Sequence, residues 1–161
     1  MGLPHSRMSA FSVLLIIVAA GWLGMLVGVS FLATPAKFLA PSLTLPVALD
    51  VGRHTFAVYN KVEWEFSVAL LLLAFLGRRG WISAAFTMVA VLIVACETLW
   101  LLPLLDARVG VIIAGGEPAP SNLHTLHIAL EAAKMVAIAI VLVEISWRVL
   151  RRPNERNRRC P

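Results

Sequence analysis

Residues 123–149 read LHTLHIALEAAKMVAIAIVLVEISWRV, and the fold turns on how this stretch is read. It is apolar enough to cross a bilayer, yet its first half carries His124, His127, Glu131 and Lys134. At 100° per residue these four side chains fall within about 80° of one another on an α-helix. A membrane helix with one polar stripe turns that stripe away from lipid, so the other helices must shield it or answer it.

Composition agrees with a membrane setting. The chain has 161 residues, the size of one domain. Apolar residues make up 60% and charged residues 14%, against about 45–50% and about 25% in soluble proteins. The mean hydropathy is +0.86. The formal charge of +5 comes largely from the tail RRPNERNRRCP, so it implies a cytoplasmic end near anionic lipid. The expected partner is the lipid bilayer, with no nucleic acid. Cys96 lies in an apolar run and Cys160 in the basic tail, which argues against a disulfide between them.

Working outward from this helix, Ser121 or Asn122 is placed to cap it, after the stiff turn made by Pro118 and Pro120. It runs on to Trp147, with Glu144 and Arg148 spaced for an ion pair. Upstream, Trp81 to Leu102 is a second span, closed by Pro103 and holding Glu97. Leu104 to Glu117 is amphipathic and ends at Gly115-Gly116. The span ending at Leu76 has a fully apolar part, Phe66 to Leu76, too short to cross a core that needs roughly 20 residues. Its helix must therefore begin near Phe56 or Tyr59 and take Lys61, Glu63 and Glu65 with it. Thr34 to Asn60, with Pro35, Pro41 and Pro46, reads as an interfacial loop containing a short helix from about Val47 to Asn60. Phe11 to Ala33 is an uncharged run that continues well past the signal-like Val18-Ala19-Ala20, so an uncleaved helix is expected. Its Ala20, Gly24 and Gly28 form a small-residue face suited to close helix packing.

The expected fold is all-α: an integral membrane four-helix bundle in one domain, residues 1–161, with two short interfacial amphipathic segments. The spans lie at about 11–33, 57–77, 81–103 and 123–147, followed by a basic tail at 148–161. Four spans leave both ends on one side. Arg7, Arg78, Arg79 and the six arginines from Arg148 onward share that side, against Lys37, Arg53, Lys61 and Arg108 on the other. This bias puts both termini in the cytoplasm, in a multi-pass protein of the inner (plasma) membrane.

The isolated charges fall in one layer. Measured from the cytoplasmic ends, Glu65 lies about 17 Å deep, Glu63 and Lys134 about 20–21 Å, and Glu97 and Glu131 about 24–25 Å. Each lone charge near the bilayer centre costs at least ~2.5–3.5 kcal/mol, so pairing is expected. Three readings remain open. In one, Lys134 pairs with Glu63 or Glu65 as packing glue, with Glu97 protonated or bonded to His127. In the second, His124, His127, Glu131 and Glu97 ligate a divalent transition metal, which suits imidazole plus carboxylate but not the nearby Lys134. In the third, His and Glu side chains titrate in turn along a proton or solute pathway that includes Lys134, Glu65 and Glu63. Haem ligation by His124 or His127 is a lesser option, and no CxxCH occurs. Ser121 and Cys96 lack a nucleophile motif and there is no phosphate-binding glycine loop, so no enzymatic activity is expected.

The chain resembles the transmembrane protein 205 family. The resemblance is carried by GVSFLATPAKF (28–38), by Gly52 and Phe56 in DVGRHTFAVYNKVE (50–63), by Pro103 and Arg108 in LLPLLDAR (101–108), and by Leu123-His124. It covers most of the chain. It implies a four-helix membrane bundle and brings no established activity. In that family the last helix carries one histidine, matching His124, so His127, Glu131 and Lys134 stand apart from the pattern. The expected function is a small-cation or proton binding or transport module. The alternative is a non-catalytic structural or accessory subunit, in a homo-oligomer or a membrane complex.

Overall fold

The computed structural model describes residues 10–76 and 80–156, with side chains through Arg151. Among the described residues there are helices and turns and no strand. Helix α1 (Ala10–Leu26) continues through a π-helical segment, Val27–Ala33, into the short α2 (Thr34–Ala36) and a 3-10 turn, Lys37–Leu39. Helix α3 spans Leu45–Leu76. Helix α4 (Trp81–Cys96) continues through a second π-helical segment, Glu97–Leu101, into α5 (Leu102–Ile113). Helix α6 spans Leu123–Arg156. The chain thus makes four helical rods. α1 and α4 each pack against both α3 and α6, which closes a four-membered ring. Two rods, Ala10–Leu39 and Trp81–Ile113, are long and apolar enough to cross a membrane by length and composition.

Each rod buries one stripe. On α1 the stripe is Ser12, Leu15, Ala19, Trp22 and Leu26, spaced alternately three and four apart. It meets Leu70 and Leu73 of α3, Ala90 and Val94 of α4, and Ala137, Ile138, Val141 and Ile145 of α6. Trp22 is fully buried and stacks on Phe66, with ring centroids 6.2 Å apart. Burying each such large side chain stabilises the bundle by about 1.5–3 kcal/mol. The opposite faces are apolar as well: Leu14 and Ile17 on α1, Val68, Leu72 and Phe75 on α3, Leu92 on α4 and Val143 on α6 are all exposed.

The prolines are accommodated rather than obeyed as helix ends. Pro35 and Pro103 were expected to stop their helices, and each instead lies just beyond a π-helical segment. There the backbone N–H of Thr34 donates to the carbonyl of Val29, and that of Leu102 to the carbonyl of Glu97. The wider turn loosens the ladder ahead of the ring, where an α-turn would clash with it. The Thr34 hydroxyl also donates to Val29 O at 2.8 Å. Pro46 sits in the first turn of α3, where its missing N–H is harmless. Hence the short interfacial helix expected at 47–60 is the front half of one 32-residue helix.

The small-residue face of α1 is also corrected. Ala20 and Gly24 are exposed, and a Cβ added at Gly24 or Gly28 would meet nothing within 4 Å. The packing stripe is the one through Trp22, because that face carries the bulk that fills the bundle.

Two glycines have clear work. Gly115, at φ 81°, ends α5: its N–H reaches Ile112 O at 3.0 Å and the N–H of Gly116 reaches Val111 O at 2.9 Å, a Schellman cap. Gly80 opens α4 against the guanidinium of Arg148, which also pairs with Glu144, as its spacing predicts. Asn122 occupies the cap position of α6, its carbonyl accepting from Leu126 N–H at 2.9 Å. Arg7, Arg78, Arg79 and Cys160, on which the charge and cysteine expectations partly rest, lie outside the described residues.

Candidate functional site

The polar stripe of α6 lies inside the ring. His127, Glu131 and Lys134, spaced four and three apart, are buried, and the same stripe turns apolar at Ile138, Val141 and Ile145. Lys134 is the centre. Its Nζ lies 2.6 Å from Glu63 Oε1, 2.7 Å from Glu97 Oε2 and 2.7 Å from Glu131 Oε1. An ammonium has three N–H donors, and here three carboxylates from three helical rods receive them. Lys134 is 0% exposed and its three partners no more than 2%.

Each carboxylate has a further neighbour. Trp22 Nε1 donates to Glu63 Oε1 at 3.3 Å, and the Ser30 hydroxyl donates to Glu131 Oε2 at 2.7 Å. His127 Nδ1 lies 3.2 Å from Glu97 Oε1, a close charge contact rather than an aligned hydrogen bond. The Tyr59 ring stands 5.9 Å below the Lys134 ammonium. Beside the cluster, Trp64 Nε1 donates to the Thr98 hydroxyl, which lies 3.0 Å from Asn60 Oδ1 and 2.7 Å from Val94 O. This network ties α3 to the π-helical segment that follows α4.

The two π-helical segments position the site. Glu97 opens one and Ser30 lies in the other, so both proline-linked irregularities deliver a side chain to the cluster. An irregular turn changes which residue faces inward, which is one reason π-turns recur at functional sites.

The expected residues therefore separate. Glu63, Glu97, Glu131, Lys134 and His127 converge. Glu65 does not: it is exposed, because two residues along an α-helix is about 200° of rotation and Glu63 already faces in. His124 does not join either. It is exposed, some 10 Å above Glu131 along the helix axis, and it lines a cavity of about 570 Å³ between α3, α5 and the start of α6. His127 lines that cavity too, with Phe56 edge-on to its ring at 5.2 Å. It is thus the one cluster residue on the cavity wall.

For a metal ion, Glu97, His127 and Glu131 offer donor atoms within 4.8 Å of one another. The carboxylates of Glu97 and Glu131 are the same ones that hold Lys134. Lys134 is thus already the shared counter-cation of two of the three donors. Trp22, Ser30 and Tyr59 escaped the sequence reading. The prolines five residues after Ser30 and six after Glu97 were the available signal for the irregular turns.

No family model, curated protein or solved structure matches this chain.

The charges do not balance. Three carboxylates carry three negative charges against one on Lys134 and, when protonated, one on His127. Burying an uncompensated charge in an apolar bundle costs several kcal/mol or more.

Proposed function

We propose that this chain is a membrane-embedded four-helix module that binds and passes protons through the Glu63, Glu97, Glu131, Lys134 and His127 cluster. The carrying observation is the excess of buried acid: three carboxylates converge on a single ammonium. Such a cluster can gain or lose a proton by small shifts of its hydrogen bonds. A proton is favoured over a metal ion because Glu97 and Glu131 already share Lys134 as their counter-cation. The process involves no covalent catalysis.

The bilayer placement rests on the apolar outer faces of the rods and on the two that can cross by length. It rests also on arginine bias, which puts both termini in the cytoplasm of an inner-membrane protein. The likeness to the transmembrane protein 205 family supports the same architecture. Access is supported from both ends. His127 joins the cluster to the outer cavity. Toward the other end the buried hydroxyls of Ser67, Thr87 and Ser83 have no hydrogen-bond partner among the described residues. Ser67 lies one turn from Glu63; Thr87 and Ser83 lie about 15 Å and 21 Å from Glu97 along α4. Such groups hold bridging water well.

Purified protein in liposomes with an entrapped pH dye tests this. A potassium diffusion potential should drive proton entry faster than in empty liposomes, and Glu97→Gln should reduce it to the empty rate. Proton entry equal to that of empty liposomes would sink the proposal. The second reading, a structural or accessory subunit, is favoured by the complete satisfaction of the Lys134 donors. It expects a stable protein with no flux.

A further inference from the structure

The cavity above the cluster has features that proton passage does not use. Phe38, Phe56, Trp64, Leu49, Leu102 and Val109 give it a mostly apolar and aromatic wall. Lys37 enters this wall half-buried, with its Nζ packed against Gly52. A Cβ at position 52 would run into that ammonium, so the glycine makes room for it. Among the described residues Lys37 makes no ion pair; its nearest charge-stabilising neighbour is the Phe38 ring, 5.2 Å from Nζ to the centroid. Arg53, on the same wall, is instead occupied: it donates to Asp50 at 2.7 Å and stands 3.8 Å from Asp106.

The charge count of the region follows. Arg53 with Asp50 and Asp106 leaves one negative charge, while Lys37 and the exposed Lys61 contribute two positive ones. These five side chains together leave one positive charge in excess. His127 adds a second unspent group. It is buried to 6% exposure, it lines the cavity, and its Nε2 has no hydrogen-bond partner among the described residues.

We propose that this cavity binds an amphiphilic monocarboxylate, a single-chain lipophilic acid whose head meets Lys37 and whose apolar body lies against Phe56 and Trp64. An apolar cavity with few convergent polar groups is the usual form of a small-ligand site, and about 570 Å³ suits one drug-sized body. The half-buried ammonium selects the head: an anion there regains for Lys37 the interaction lost on burial. This inference uses the membrane placement proposed above and does not depend on proton passage.

Trp64 provides the readout. The full chain, purified in detergent, is titrated with dibromostearate, whose bromines quench indole fluorescence on contact, and with its methyl ester. The acid should quench saturably and the neutral ester at least about tenfold more weakly, the weight of one charge-assisted bond. Trp64→Phe should lose the saturable component. Lys37→Met should weaken the acid about tenfold and leave the ester unchanged. Equal quenching by acid and ester, or unaltered acid binding in Lys37→Met, would overturn the proposal. Stronger saturable quenching by a brominated two-chain phosphatidylglycerol would overturn the single-chain assignment. The titration needs no proton gradient, so failure here leaves the flux result standing, and absence of flux leaves this binding standing.

Discussion

Replacing Lys134 with methionine keeps an unbranched side chain, one atom shorter, and removes its charge. Three contacts of 2.6, 2.7 and 2.7 Å disappear together. Glu63 keeps the Trp22 indole at 3.3 Å, Glu131 keeps Ser30, and Glu97 keeps His127. Breaking a buried ion pair on one side costs about 3–5 kcal/mol in soluble proteins. Three carboxylates are left without their shared counter-charge, so the upper part of that range is expected. At about 2–4 °C per kcal/mol for a chain this size, the fall in Tm should be roughly 8–20 °C. Helix loss on heating in detergent, followed by circular dichroism, measures it. The compensating change distinguishes two otherwise similar acids. Lys134→Met with Glu63→Leu should recover a substantial part of the loss, because one unpaired buried carboxylate goes. Lys134→Met with Glu65→Leu should recover none, because Glu65 is exposed. A Lys134→Met protein that melts with wild type, or equal rescue by the two leucine changes, would refute the reasoning.

Other outcomes follow from the same geometry. Glu65→Gln alone should change stability by no more than about 0.5 kcal/mol, since it touches no buried feature, and a thermal melt checks it. Trp22→Ala should cost about 3–5 kcal/mol, as large-to-small changes in a packed core do, whereas Gly24→Leu should be neutral in the monomer because nothing lies within 4 Å of an added Cβ; the two melts should differ clearly. Pro103→Ala should retain helix content by circular dichroism yet lower liposome proton entry, because a relaxed π-segment turns Glu97 away from Lys134. Reporter fusions at Gly116 and after residue 152 should report opposite sides of the membrane, and a shared side would defeat the four-span topology.

Much of this protein was legible in one dimension. Long, predominantly apolar runs cannot be soluble loops, so the helical character followed from residues 11–33, 81–102 and 123–149. The layer was legible too, because helical rise converts residue number into depth. It brought Glu63, Glu97, Glu131 and Lys134 to one level before any packing was known. The pairing followed from the cost of a lone buried charge.

What depth alone cannot supply is azimuth, and azimuth belongs to the tertiary structure. Glu63 and Glu65 differ little in depth and point nearly opposite ways. Only the packing of α3 against α1 and α4 selected Glu63 as the partner of Lys134. The same selection left His124 on the cavity wall and took His127 into the cluster. On α1 it chose the Trp22 face over the Gly24 face, since bulk fills a four-membered ring better than small residues do. The prolines misled for a related reason. Proline forbids an α-turn behind it, which local rules read as an end. Packed neighbours can hold a π-turn there instead, and that turn sets Ser30 and Glu97 facing inward. Composition and rise thus determined that a buried charge layer exists, while the rotation of each helix, which depends on contacts between rods distant in the chain, decided its members.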